Sequence, residues 1–272
     1  MVQRKKPGDG EERDPRFSQS LKRGLEILAC FSAGEVALGI FDIAEKVGLS
    51  RSTTHRYAAT LVELGYLEQD SERKYRLGAR VTDLGAAAVA ATGIAQASPF
   101  LGQLRKDTGL TVSVAVLDEQ EIVCLQQLRG QLVGAHVRDL DAGSRFPAYC
   151  TAAGKLLLAH QPEAEQKRLL AATNSRKREP GTVSSKAELR AQLVSIRERG
   201  FACEDEERAA DVHEVAVPVL SAGAEVVAAL GVIAHGKEPT AERIASSHLA
   251  AMQRTAESIS AALAASLDGR LG

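Results

Sequence analysis

The chain has no tryptophan, two methionines and only 4% aromatic residues. A core built on large rings is excluded, and the 44% of hydrophobic residues must pack mainly as Leu, Val, Ile and Ala. Cysteine is equally sparse. Cys30, Cys124, Cys150 and Cys203 show no CxxC spacing and no Cys/His cluster of zinc-finger type. No disulfide framework or metal site is therefore expected, and the plain reading is reduced thiols in a cytoplasmic protein. No apolar run approaches the ~20 residues that span a bilayer. The opening MVQRKKPGDGEERDPR is charged and lacks the apolar stretch of a signal peptide, so no membrane partner is expected. Strong positive charge is missing too: the net charge is −1. Over residues 17–80 nine Lys/Arg face eight Asp/Glu. A protein that holds nucleic acid by charge alone is excluded, and any contact to DNA must come from a few well-placed groups.

What is present points to two domains, as 272 residues suggest. Residues 1–16 carry charge, Gly and Pro with almost no apolar content and read as a disordered tail. Three helices are predicted next, at about 20–32, 41–47 and 51–64. The first carries Leu21, Leu25 and Leu28 at i, i+4, i+7. The second carries Ile40, Ile43, Ala44 and Val47 on one face, and the third Thr54, Tyr57, Ala58 and Leu61. Between the last two, Gly48 suits a left-handed helix end and Ser50 suits a cap. So short a turn forces the helices to cross steeply, as in a helix-turn-helix. Tyr66-Leu67 and Tyr75-Arg76-Leu77 read as strands around a polar tip, Asp70 to Arg73. Residues 17–78 thus form a winged helix. An Ala-rich linker helix covers 79–97, and Pro99 marks the next boundary. Residues 98–267 mix helices (from Ser98, from near Thr151, 186–199, 240–267) with strands (TVSVAVLD, EIVCLQQL, QLVGAHV, FACEDE, HEVAVPVL, EVVAALGVIAH). The fold class is α+β with a mostly antiparallel sheet.

The third helix presents its polar face at its N-terminus: Arg51, Ser52, Thr53, His55 and Arg56. These are donors and acceptors of the kind that reach phosphates and base edges. The free N–H groups of that turn attract phosphate. Arg73 and Lys74 at the wing tip suit the neighbouring backbone or minor groove. Double-stranded operator DNA is the expected partner; which of these residues touches a base stays open.

These blocks resemble the IclR family of bacterial regulators over about residues 17–265. The likeness rests on SLKRGLEIL, FDIAEKVGLSRSTTHRYAATLVELGYLEQD and KYRLG, then SRFPAYCTAAGKLLLA, RERGFACEDEE and EVAVPVL. It implies a GAF-like effector domain, a curved antiparallel sheet flanked by helices. It also implies homodimers, often paired into tetramers, reading two half-sites. RNA polymerase is a further partner if the protein activates. SRFPAYCTAAGK looks closest to a subgroup sensing protocatechuate or 4-hydroxybenzoate, and a short-chain acid of the glyoxylate or pyruvate kind is the alternative. The family holds its effector's carboxylate on backbone N–H groups, here those of Ala152 and Ala153. Small residues at a helix N-terminus make physical sense there, because they let an anion approach the backbone. Four further family positions fall on Glu204, Glu214, Gly231 and Ile233. This chain departs at all four from the family's smaller acid, Cys and two Ser. Gly231 and Ile233 make the wall less polar, Glu204 suits ligand hydroxyls, and Glu214 repels an anion unless protonated or paired. Alternatively, Glu204, Glu206 and Glu207 are a solvated strand end. Tyr149 and Phe146 flank the loop, able to stack on an aromatic ring or simply part of the core.

Other signals fail. Gly154-Lys155 lacks the remainder of a phosphate loop, with Tyr149 and Leu156 where Gly and Ser/Thr are needed. Cys150 has no identifiable His partner, and His213 and His235 read as structural. No catalytic residue and no cofactor are expected. An enzyme using Cys150 or Glu204, and a DNA-binding protein without an effector, remain the rival readings.

Overall fold

The computed structural model describes residues 16–31, 35–130, 141–174, 179, 181–183 and 185–268. The predicted tail and the strand expected at 131–137 fall largely or wholly outside them. The chain groups into two compact units that meet between Ala88 and Val89.

In the first unit, α1 (Gln19–Leu28), α2 (Ile40–Val47) and α3 (Arg51–Glu63) precede a hairpin of β1 (Leu67–Gln69) and β2 (Tyr75–Leu77). Gly48 ends α2 at φ +67° and Ser50 caps α3, its Oγ accepting from the Thr53 N–H at 3.2 Å. Both are the roles expected from the turn chemistry. Ile27, Leu38, Ile43, Ala58, Leu67 and Tyr75 form the core. Leu38 pairs with Tyr75 through a single antiparallel β-bridge beside the hairpin. One expectation is corrected. Leu21 and Leu25 are exposed, and α1 is instead anchored by fully buried Ile27. Of the i, i+4, i+7 leucines only Leu28 packs against this small core.

The helix α4 (Ala79–Thr92) stops short of the predicted linker end, because Gly93 takes φ +72° and the chain continues as a 3-10 turn over Ile94–Ala97. In the second unit, α5 (Ser98–Thr108) leads into β3 (Thr111–Asp118), β4 (Glu121–Leu128), β5 (Arg145–Pro147), α6 (Ala152–Ala159), α7 (Glu163–Ala172), α8 (Lys186–Arg199), β6 (Ala202–Asp205), β7 (Val212–Leu220), β8 (Val226–His235) and α9 (Ala241–Asp268). The six strands pair antiparallel in the order β5-β4-β3-β8-β7-β6. β5 and α7 were not foreseen.

Alternation splits the sheet into two buried faces. Val112, Val114, Val215, Val217, Leu230 and Val232 pack with residues of α5 and α9. Ala115, Ala216 and Ala229 pack with residues of α6, α7 and α8. The small residues on that second face let α6 approach closely. Gly154 makes this obligatory, since a Cβ there would lie 2.4 Å from backbone atoms of Ala148.

Candidate DNA interface and effector site

The helix α3 presents two adjacent i, i+4 rows, Arg51 with His55 and Ser52 with Arg56, all exposed. The Arg51 guanidinium lies over the Phe41 ring, 4.5 Å from its centre. A partner on α2 thus holds the first cation of α3 in place, and only the aromatic at the start of α2 hinted at it. Thr53 is tied to Ser50, oxygen to oxygen at 2.8 Å, so it serves the cap. Ser50→Ala should lower the stability of this unit by about 1 kcal/mol, checked by thermal unfolding.

The wing tip is organised by Asp70, whose Oδ1 accepts from the N–H groups of Glu72 and Lys74 at 3.0 and 2.9 Å. Arg73 takes φ +61° and stays exposed, whereas Lys74 pairs with Glu72 at 3.0 Å. Arg73 is therefore the less encumbered cation of the two.

In the second unit the strand register collects the predicted effector positions. Glu204 stands opposite Glu214, and Glu214 opposite Ile233. Gly231 pairs with both Ala216 and Ser113. All lie on the face that carries α6. Glu204, Glu214 and Ile233 are 1%, 2% and 0% exposed. The solvated strand end is thereby corrected. Glu207 is buried as well, and only Glu206 of that run faces solvent.

The start of α6 is already occupied. The Ala152 N–H donates to Glu214 Oε2 at 3.0 Å, and the Ala153 N–H also supports that carboxylate. The expected open cradle for a ligand's anion is corrected: the chain's own carboxylate fills it. Helix N-termini favour a carboxylate whichever molecule supplies it. Glu214 fits because residue 231 has no side chain; a Cβ there would stand 2.9 Å from Glu214 Oε1 and from Ser113 Oγ. Burial raises the Glu214 carboxyl, and the nearby Arg208 charge and the helix N–H groups oppose that shift.

Glu204 Oε1 accepts from the N–H groups of Glu207 and Arg208, while its Oε2 is buried without a partner. Burial, reinforced by the Glu214 charge, pushes the Glu204 carboxyl up to about 8. Arg208 was missed at the sequence level. It is 5% exposed, its guanidinium lies 4.8 Å from the centre of the Phe146 ring, and none of its three side-chain nitrogens has a hydrogen-bond partner. Beside it Cys124, Val212 and Ile233 form a small apolar cluster that Phe146 closes. Tyr149 instead packs with residues of α6 in the neighbouring core.

The remaining candidates find structural roles. Cys150 is fully buried and donates to the Pro147 carbonyl at 3.5 Å. Burial, with the Glu214 charge, pushes the Cys124 thiol up to about 12. His213 links Asp205 to the Gly236 carbonyl, and Asp205 also accepts the Ala241 N–H at the start of α9. Lys155, set aside with the phosphate-loop motif, is buried and ion-paired with Glu207. Among the described residues no His, Cys, Asp and Glu group is placed to hold a metal ion. No single helix there is long and apolar enough to cross a membrane.

Comparison with known proteins agrees with this architecture. Residues 20–71 match the IclR helix-turn-helix domain, and residues 86–261 match the bacterial transcriptional regulator IclR C-terminal family. The HTH-type transcriptional regulator XynR of Escherichia coli (strain K12) is 37% identical, over 78% of this chain and 84% of its own length. The p-hydroxybenzoate hydroxylase transcriptional activator of Acinetobacter baylyi (strain ATCC 33305 / BD413 / ADP1) is 30% identical, over 82% and 84%. An IclR homolog from Microbacterium hydrocarbonoxydans, crystallised with 4-hydroxybenzoate, superimposes with a TM-score of 0.80 at 24% identity, over 90% and 98%. A winged head with a polar recognition turn, joined in one chain to a curled antiparallel domain with a buried polar site, matches these regulators over both domains: the protein belongs to the IclR family of bacterial transcriptional regulators, with a DNA-binding helix-turn-helix and a C-terminal effector domain.

Proposed function

We propose that this regulator binds operator DNA through the first turn of α3 and that a hydroxylated aromatic acid of the 4-hydroxybenzoate or protocatechuate kind controls that binding. Residues 17–78 are the reading head, 79–97 the coupling segment and 98–267 the sensor. The observation that carries the reading is the buried cluster of Arg208, Glu204 and Glu214 beside Phe146, Cys124, Val212 and Ile233. It combines ionic and apolar walls of the sort that bind a small amphipathic acid. The 30% identity to a p-hydroxybenzoate hydroxylase activator supports the aromatic class.

The protein acts in the cytoplasm as a homodimer or a pair of dimers, so its operator holds two half-sites related by the dimer's symmetry. Effector binding favours one arrangement of the heads and so shifts operator affinity by the ratio of its affinities for the two states. If the protein activates, RNA polymerase is its further partner.

The test is a fluorescence-anisotropy titration of labelled DNA from upstream of the regulator's own gene. Replacing Arg51 and Arg56 by alanine should weaken binding by about 2 kcal/mol or more, roughly 30-fold, and flatten its salt dependence. Undiminished affinity in the folded double variant would place the interface elsewhere. Adding 4-hydroxybenzoate or protocatechuate should change the wild-type affinity in a saturable way.

A further inference from the structure

Ordinary buried arginines are paired, because a desolvated guanidinium with unused donors is very unfavourable. The Arg208 guanidinium lies over the Phe146 ring, and none of its nitrogens has a hydrogen-bond partner. Its charge still reaches the two buried carboxyls, since it opposes the upward shift of both Glu204 and Glu214. Glu204 also keeps Oε2 unpartnered beside it. Three buried ionisable groups thus share one site in which the guanidinium and one carboxyl oxygen lack a hydrogen-bonding partner. Meanwhile the N–H groups at the start of α6 are satisfied from within the chain by Glu214.

We infer that this chain binds its effector in reverse. The effector's carboxylate forms a forked pair with Arg208, and its hydroxyl groups face Glu204 and Glu214, the latter having taken over the anion position at the start of α6. The guanidinium fork matches a carboxylate, two N–H groups to two oxygens. A second carboxylate could reach the α6 N–H groups only by displacing Glu214 from them. A hydroxyl can both donate to and accept from a buried carboxyl group, so it needs no such displacement. The ligand class is therefore a hydroxylated carboxylic acid, and an acid without a hydroxyl leaves Glu204 Oε2 without a partner. Discrimination of this type is large, because the site's buried polar groups are left unpaired by the wrong ligand. Phe146, already stacked on Arg208, would flank the acid end of an aromatic ligand.

This inference rests on the effector reading above, and calorimetry on the full chain separates the two. The probes are 4-hydroxybenzoate, protocatechuate, benzoate and the aliphatic hydroxy acid glycerate. The wild type should bind at least one of the hydroxy acids at least about 30-fold more tightly than benzoate. Arg208→Gln should weaken that hydroxy acid about 100-fold, and Arg208→Lys should recover part of the loss. Glu214→Cys should free the α6 N–H groups and bring benzoate to within a few-fold of the hydroxy acid. Far-ultraviolet circular dichroism and the melting temperature establish that each variant is folded. If Arg208→Gln does not fold, the Glu214→Cys selectivity decides by itself. Equal binding of benzoate and hydroxybenzoate by the wild type, or hydroxy-acid binding indifferent to Arg208, overturns the reversed mode and leaves the effector reading standing. No binding of any of the four acids by the wild type overturns both. Preference for glycerate over the aromatic acids keeps the reversed mode and overturns the aromatic assignment.

Discussion

Lys155→Ala will lower the stability of the effector domain by about 3–5 kcal/mol, measured as the shift in its urea-unfolding midpoint. Every residue of α6 is buried, and Lys155 is 1% exposed among them. Its ammonium pairs with Glu207, whose other oxygen accepts only a long bond, 3.4 Å, from the Val183 N–H. Removing the lysine leaves a nearly desolvated carboxylate with weak support, and it leaves a cavity where the four-carbon stem packed. The pair itself need not add net stability. Taking two charges from water offsets much of their attraction, so Lys155→Met combined with Glu207→Leu should unfold within about 1 kcal/mol of the wild type. That contrast separates the loss of a partner from the loss of an interaction. A single variant that loses less than about 1 kcal/mol would show that Glu207 finds another cation or takes up a proton at little expense.

The signal for Lys155 is present in the sequence. A lysine inside AAGKLLLA interrupts an otherwise apolar helix, and a buried cation demands a buried acid. The phosphate-loop pattern is incomplete here, and the lysine within it serves the buried pair with Glu207. The winged head was legible almost throughout, because its signals are local. Gly48 and Ser50 declare their turn, and the face of α3 follows from spacing alone. The α1 stripe misled for a related reason: periodicity identifies an apolar face, but not whether the same domain covers it.

The effector site was legible in part. Glu204, Glu214, Gly231 and Ile233 are placed by family likeness, and the antiparallel register brings them side by side. What the sequence could not supply was the long-range partner. Glu214 lies 62 positions from the N–H it accepts, and no local pattern links EVAVPVL to CTAAGK. Arg208 sits in a run of acids, EDEERAAD, and nothing local distinguishes it from a solvated cation. Its burial follows only from the way the turn after β6 folds back under the Glu204 carboxylate, which takes both the Glu207 and Arg208 N–H groups.

Those two carboxyls should also make the domain's stability fall as pH rises. Glu204 and Glu214 stand opposite each other, buried, and both titrate above the ordinary carboxylate range, Glu204 near 8. In the unfolded chain each ionises near 4.5. Between those values the folded state holds protons that the unfolded state has released, so unfolding becomes more favourable as pH rises. For Glu204 alone the slope is about 1.4 kcal/mol per pH unit, reaching about 4 kcal/mol by pH 8. Below pH 4 the effect vanishes, because both states are then protonated. The pair titrates together, so the measured midpoint belongs to both groups. Glu204→Gln provides the control. An amide oxygen still accepts from the Glu207 and Arg208 N–H groups, but no proton is bound or lost. Its melting temperature should therefore lie close to that of the wild type at pH 5 and above it at pH 8.5. If the two curves stay parallel over that range, Glu204 is ionised in the folded protein, and the neighbouring Arg208 charge must then outweigh its burial.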